Sequence, residues 1–261
     1  KDTSGYAIAT PNPFTDRTRS QFRSQCAATG APFCQFSYGA HEIIEILFVT
    51  EYKTWDSQTA LPGYTGQSSF NYSYVSTAGQ TLSLGDGSGS VGDGASAGSA
   101  NSYRGIENIF GNVYVFADGI NIDGGHVYTA YDPADFADDT TTNYTDTGVS
   151  PGFGETNDYQ KNIEADGNQH ASFWPVELGN GADSASYLTG YMWNDTGWRV
   201  LRVGGALGHG AQAGLGARNA SSASSSAGIG ARLLTCVWMY RFFEQNNLGT
   251  CQNSTNFNPG W

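Results

Sequence analysis

The stretch from Trp193 to Leu234 most constrains what this chain can fold into. It contains two short apolar runs, Trp198–Val203 and Ile229–Leu234, which enclose about twenty-five residues composed mainly of Gly, Ala and Ser. The first run alternates bulky apolar and basic side chains and ends at Gly204-Gly205, and the second resumes the apolar pattern, as paired strands would. The enclosed residues include too few large apolar groups to build a core. We therefore predict that the two runs are scaffold strands and that the segment between them is displayed on the scaffold.

Composition narrows the class of protein. The chain of 261 residues is long enough to bury a substantial core, and its 35 Gly with many Ser, Thr, Asn and Asp predict a loop-rich body in which short strands outnumber helices. The formal net charge of −12, with only 12 scattered Lys and Arg, argues against nucleic acid as a partner. The longest apolar run, Ile43 to Val49, is interrupted by Glu45 and is too short for membrane insertion.

Two helices are predicted near the N-terminus. Thr15 would cap the first, from Asp16 to about Ala28, with Phe22 and Cys26 on its inner face. The basic residues of this helix are expected in solvent: Arg17, Arg19 and Arg23.

The second predicted helix runs from about Tyr38 to Tyr52. Its apolar residues recur at i, i+3, i+4, i+7 and i+8 and should face the core. These residues are Ala40, Ile43, Ile44, Leu47 and Phe48. We expect His41, Glu42 and Glu45 on the opposite, solvated side.

Four cysteines form two couples that are close in sequence. Disulfides joining Cys26 with Cys34 and Cys236 with Cys251 are the simplest of the three pairings, and they favour an oxidising, extracellular setting. The alternative is four buried thiols, since Cys is also a good core residue. No CxxC is present, so a zinc ribbon is not supported.

No stretch makes a case for catalysis or for a defined metal site. The four histidines are far apart in sequence, and no HxH or HExxH motif occurs. The acidic stretch from Tyr131 to Asp146 is expected to be a solvated loop, although a structural calcium ion there stays an open alternative. Trp193-Asn194-Asp195 matches the WND tripeptide of sugar-binding C-type lectins, but the upstream loop that completes their calcium site is missing. We therefore predict a protein that is not an enzyme and needs no cofactor.

Several segments together resemble a known group of proteins. They are Tyr38-Gly39-Ala40 through Glu51-Tyr52, Asp56-Ser57-Gln58, SYRGIEN from Ser102, FADGINI from Phe116, Gly197–Gly205 and Gly228–Leu233. The chain from about Phe14 to Leu234 resembles viral tail or structural proteins with a C-type lectin fold, and most closely the variable proteins of diversity-generating retroelements. Its last segments also look like formylglycine-generating enzymes, which need a reactive cysteine pair in the part corresponding to 206–228. No Cys occurs there, so that activity is not implied.

The resemblance implies a single α+β domain of C-type lectin fold over residues 1–261, with short antiparallel strands. Residues 193–234 would be the display segment and 237–261 a C-terminal tail. The implied function is binding of a protein or glycan ligand on a target surface, at an extracellular or virion surface, by a protein that is compatible with oligomerisation. The alternatives are a virion structural or decoration subunit without its own ligand and a calcium-dependent lectin.

The resemblance also indicates which residues form the display face. By position against the family pattern they are Ala206, Leu207, Gly208, His209, Ala211, Gln212, Gly216, Arg218, Asn219, Ala223, Ser225 and Ala227. Few of these are aromatic or basic, the residue types that dominate binding hot spots. We therefore expect affinity to depend on Arg218, His209 and the neighbouring Trp193 or Trp198.

Overall fold

The protein is an α+β fold, and its short strands outnumber its helices, as its composition predicts. A computed structural model describes residues 13–67, 74–92, 98–150, 156–164, 171–179, 188–221 and 228–235. These residues form three helices: α1 (Arg19–Ala28), α2 (Tyr38–Tyr52) and α3 (Ser57–Ala60). They also form fourteen strands: β1 (Phe33–Gln35), β2 (Gly89–Gly92), β3 (Ser99–Tyr103), β4 (Ile106–Glu107), β5 (Tyr114–Asp123), β6 (His126–Thr129), β7 (Thr145–Asp146), β8 (Asp158–Ile163), β9 (Pro175–Leu178), β10 (Tyr191–Asn194), β11 (Trp198–Val203), β12 (Arg218–Ala220), β13 (Ile229–Gly230) and β14 (Leu233–Thr235).

One large sheet organises the described residues. Its strands follow the order β7-β6-β5-β11-β12-β10-β8-β9, with β13 added beside β5. Most neighbours are antiparallel, as expected, but β10 pairs with β12 and β13 with β5 in parallel. Two smaller sheets, β1-β14 and β2-β3-β4, lie outside it.

The two apolar runs that enclose the display segment do not pair with each other. Both instead hydrogen-bond to β5, where Val115 is opposite Val203 of β11 and Gly230 of β13. The second run also divides, because Leu233 begins β14, which pairs with β1. The long, buried strand β5 offers two edges, and each run takes one of them.

The core lies on both faces of the large sheet. On one face α2 covers a cluster that includes Ala117, Met192 and Leu201. On the other face Phe22 of α1 packs into a smaller cluster with Phe116. The strand β5 is therefore covered on both faces.

The first helix begins later than predicted and is attached by ion pairs. Thr18 rather than Thr15 caps it, since Thr18 and Gln21 exchange hydrogen bonds in a capping box. Arg19, expected in solvent, is 1% exposed and lies 2.7 Å from Asp138, while Arg23 lies 2.6 Å from Asp118 of β5. These arginines face the sheet because its buried carboxylates need positive partners. The solvated assignment of Arg19 and Arg23 is therefore wrong.

The second helix has the predicted bounds, and Ala40 and Phe48 of its apolar face are buried as expected. More of the helix is buried than predicted, however. His41, Glu42 and Glu45, expected in solvent, are buried, whereas Leu47 is 40% exposed. The reason lies on the sheet, where Arg218 of β12 places Nη2 2.6 Å from Glu45 Oε2. A buried guanidinium can retain its charge only beside an anion, so the acidic side of α2 turns inward.

The cysteines do not pair as predicted. Cys26 is a free, buried thiol, so a Cys26–Cys34 disulfide is wrong. Cys34 is disulfide-bonded, and its partner lies outside the described residues. Cys236 and Cys251, together with the predicted tail 237–261, also lie outside the described residues.

Candidate functional site

The pairing of β10, β12 and β11 places three polar or aromatic residues side by side in the sheet. Trp193 of β10 is opposite Asn219 of β12, which is opposite Arg202 of β11. Directly opposed residues share a face of a sheet, and successive residues alternate between faces. Met192 and Arg218, which are also opposite each other, therefore face α2.

Aromatic rings form a continuous row on the face that carries Trp193. We call this row the aromatic surface, and its members are Tyr159, Tyr191, Trp193, His209 and Tyr114. Successive ring centroids are 5.0 Å, 4.5 Å, 4.7 Å and 4.9 Å apart along that order. The first four side chains are partly exposed, and Tyr114 is buried. The row thus extends from solvent into the core.

Buried hydrogen bonds hold the inner end of the aromatic surface. Asn219 accepts from Arg202 through Oδ1 and donates through Nδ2 to Tyr114 Oη at 3.2 Å. Tyr114 Oη lies 2.9 Å from His209 Nε2, and the backbone N–H of Ala206 donates to His209 Nδ1 at 3.0 Å. The guanidinium of Arg202 also lies 5.3 Å from the centre of the Tyr114 ring. Partly exposed rings are thereby supported by a fixed polar layer.

The imidazole of His209 is neutral at neutral pH. Burial lowers its pKa to about 4, and the positive charge of Arg202 acts in the same direction. Burial beside Asp158 raises the pKa of Tyr191, so that phenol is also uncharged. The exposed part of the aromatic surface therefore presents neutral rings.

The structure brings together Trp193, His209 and Asn219 from the predicted site. Gly208, Gln212 and Gly216 are partly exposed, and Ala211 is exposed. Trp198 lies elsewhere, against Tyr128 with ring centroids 6.4 Å apart. Ala223, Ser225 and Ala227 lie outside the described residues.

Four predicted display residues are interior. Ala206 and Leu207 have no exposed surface, Arg218 is 1% exposed, and Asn219 is buried in the polar layer. Arg218 faces α2 because it follows the alternation of β12, and its ion pair with Glu45 occupies the guanidinium. The assignment of these four side chains to a display face is therefore wrong, because all four are buried in the interior.

Sequence reasoning missed Tyr114, Tyr159, Tyr191 and Arg202. Tyr191 could have been found, because Tyr191, Met192 and Trp193 alternate aromatic, apolar and aromatic residues, which is typical of a strand with one open face. Tyr159 and Tyr114 carry no comparable signal. They reach the site only through strand pairing between distant parts of the chain.

The WND tripeptide does not form an open cation site. Asn194 is 4% exposed, and Asp195 is paired with Arg199 at 3.2 Å. Across the described ranges, no three His, Cys, Asp or Glu side chains come together in a way that could hold a metal ion. Within the same ranges, none of the helices combines the length and apolar character needed to cross a membrane.

Two comparisons with known proteins identified no relative of this chain. No family model matches the chain, and a search of curated proteins finds no match.

Proposed function

We propose that this protein is a non-enzymatic receptor or adhesion protein that binds its ligand at the aromatic surface. The observation that carries the proposal is the row of partly exposed rings, Tyr159, Tyr191, Trp193 and His209, supported by buried hydrogen bonds. Rings of this kind offer large contact area with little side-chain entropy to lose, and so they dominate binding hot spots. The ligand would be a protein or glycan on a target surface.

The proposal includes a C-type lectin type of scaffold and diversification by a retroelement. Its support is the sequence resemblance together with the exposed Ala211 and the partly exposed Gly208 and Gln212, which lie close to His209 in the chain. Side chains at such positions can change without altering the core. An extracellular or virion-surface location follows from the same resemblance.

Ligand binding is tested with a matched pair of tryptophan variants. Purified wild type, Trp193→Ala and Trp198→Ala would be applied to a glycan array and to a panel of intact cells. We expect Trp193→Ala to lose at least about tenfold in affinity, as hot-spot truncations do, while Trp198→Ala keeps it. Equal binding by all three proteins would reject the aromatic surface as the site.

A chelator distinguishes the proposed calcium-independent binding from the alternative of a calcium-dependent lectin. Because Asp195 is paired with Arg199, we expect chelation of calcium to leave binding unchanged. Loss of binding on chelation, restored by added calcium, would favour the lectin.

Diversification by a retroelement is tested by sequencing the DNA that neighbours the gene. We expect a near-copy of the codons for residues 200–234, differing at adenines, beside a reverse transcriptase gene. Absence of both would remove the retroelement from the proposal and leave the binding surface to be judged by the tryptophan variants.

A further inference from the structure

An apolar groove with a volume of about 560 Å³ lies beside α2 and β14, and we call it the α2 groove. Leu47 of α2 and Leu233 of β14 both line it, and they are 40% and 39% exposed. Contiguous apolar surface that stays open on a folded chain marks a site of interaction. The other apolar residues that line the groove are Phe36, Ala40, Ile43, Ile44, Ile106 and Leu234.

Helical spacing explains why α2 presents an apolar stripe to this groove. The stripe occupies positions i, i+3, i+4 and i+7 on one side of the helix, and its residues are Ala40, Ile43, Ile44 and Leu47. The acidic side of α2 is buried separately, against Arg218 of the sheet. The stripe therefore needs a cover of its own, and the described residues leave part of it open.

The chain passes out of the described residues at the edge of the α2 groove. Thr235, the last residue of β14, is one of the residues that line the groove. Residues 237–243, which we call the VWMYRFF segment, follow within two positions and carry six large apolar or aromatic side chains. Side chains of these types gain free energy when they leave water for an apolar surface. The VWMYRFF segment is thus chemically suited to the groove at which β14 ends.

A disulfide holds the same part of the chain close to the groove. Cys34 of β1 is disulfide-bonded, whereas Cys26 is free. The partner of Cys34 is therefore Cys236 or Cys251, which flank the VWMYRFF segment. Cys34 is opposite Leu234 of β14, so the two side chains share a face of the two-stranded sheet. Because a disulfide keeps the Cα atoms of its cysteines within about 7 Å of each other, either pairing fastens the segment beside the groove.

We propose that the VWMYRFF segment binds in the α2 groove of its own chain and covers the apolar stripe of α2. The strand β14 ends at the groove, and the disulfide gives the segment a short second tether there. Short tethers create a high effective concentration, which favours this occupant over a second copy of the chain or a foreign protein. Residues predicted as a C-terminal tail would then be part of the core. Binding in the α2 groove does not depend on the ligand of the aromatic surface.

Photo-cross-linking of the full chain tests which segment occupies the groove. A benzophenone amino acid would replace Leu47 or, as the matched control, Ile46, which is adjacent and 43% exposed but is not one of the described residues that line the groove. After irradiation and reduction of disulfides, we expect position 47 to be joined to a peptide from the VWMYRFF segment in a monomer-sized product, and position 46 to give no such adduct. The same adduct in a dimer-sized product would assign the groove to a second copy and overturn the proposal. An adduct with another segment, or no adduct, would also overturn it.

Limited proteolysis gives a second measurement without a bulky probe. Arg241 is the last trypsin site in the chain, since no Lys or Arg follows it. Leu47→Glu would place a carboxylate in the groove, where covering it with apolar side chains is unfavourable. We expect cleavage after Arg241 to be at least about tenfold faster in Leu47→Glu than in wild type, while Ile46→Glu leaves the rate unchanged. Equal cleavage rates in the three proteins would overturn the proposal.

Discussion

At the scale of single residues, the most unusual group is the carboxyl of Glu42. Burial raises its pKa to about 8, and the neighbouring charge of Glu45 adds to the shift. Hydrogen bonds from Tyr131 and from the backbone of Ser172 lower this pKa, but they offset only part of the shift. Glu42 is therefore protonated in the folded protein at neutral pH.

This protonation predicts a stability that declines with rising pH. The unfolded carboxyl loses its proton near 4.5 and the folded one near 8, so the folded state holds more protons between those values and its free energy of unfolding falls across them. Glu42→Gln mimics the protonated form. We expect it to flatten this dependence and to exceed wild type at pH 8 by about 4 kcal/mol.

Urea denaturation at several pH values measures this difference. Glu51→Gln is the matched control on the same helix, since Glu51 is exposed and its pKa is lowered by hydrogen bonds from Tyr103 and Arg104. The control should not reproduce the gain at pH 8. A Glu42→Gln profile with the wild-type slope would contradict the assignment.

At the scale of elements, the backbone path of the loop from Gly204 to Ala213 depends on the conformation of Gly205. Its φ is +70°, and a Cβ there would lie 2.7 Å from the Cβ of Ala213. Gly210 also has a positive φ, of +53°, but a Cβ there would meet nothing within 4 Å. Changing each glycine to Ala therefore separates backbone strain from collision.

We expect Gly210→Ala to lower the free energy of unfolding by about 1 kcal/mol, the cost of a left-handed residue. Gly205→Ala should lose more than about 2 kcal/mol, because collision adds to the same strain. Equilibrium denaturation gives both values. Equal losses would mean that Ala213 moves away from a Cβ at residue 205 without cost.

At the scale of the whole molecule, tolerant and intolerant positions alternate within one small-residue segment. Ala211 is exposed, whereas Ala206, five positions earlier, packs with Phe116 and Val200 in the core. We expect Ala211→Tyr to change the free energy of unfolding by less than about 0.5 kcal/mol. The same substitution at Ala206 should cost about 3 kcal/mol or more through overpacking.

Soluble yield and melting temperature of the two tyrosine variants test this division. A stable Ala206→Tyr protein would restore Ala206 to the display face. An unfolded Ala211→Tyr protein would remove Ala211 from it.

Much of the local structure was predictable. The bounds of α2 follow from apolar spacing, and the strand character of Trp198–Val203 follows from alternation. The excess of short strands over helices follows from composition. Each of these depends on residues within a few positions of each other, where backbone geometry determines the spacing of side chains on a face.

The orientation of those elements was decided only by tertiary structure. Helical spacing predicts the burial of Ala40 and Phe48 on the apolar face of α2. It does not predict that the acidic side is buried as well, which happens because Arg218, 173 residues away, meets Glu45. The aromatic surface arises in the same way, because strand pairing places Tyr159 opposite Tyr191 and Trp193 opposite Asn219. A buried charge needs a partner wherever the fold can supply one, and sequence spacing carries no record of which distant residue that is.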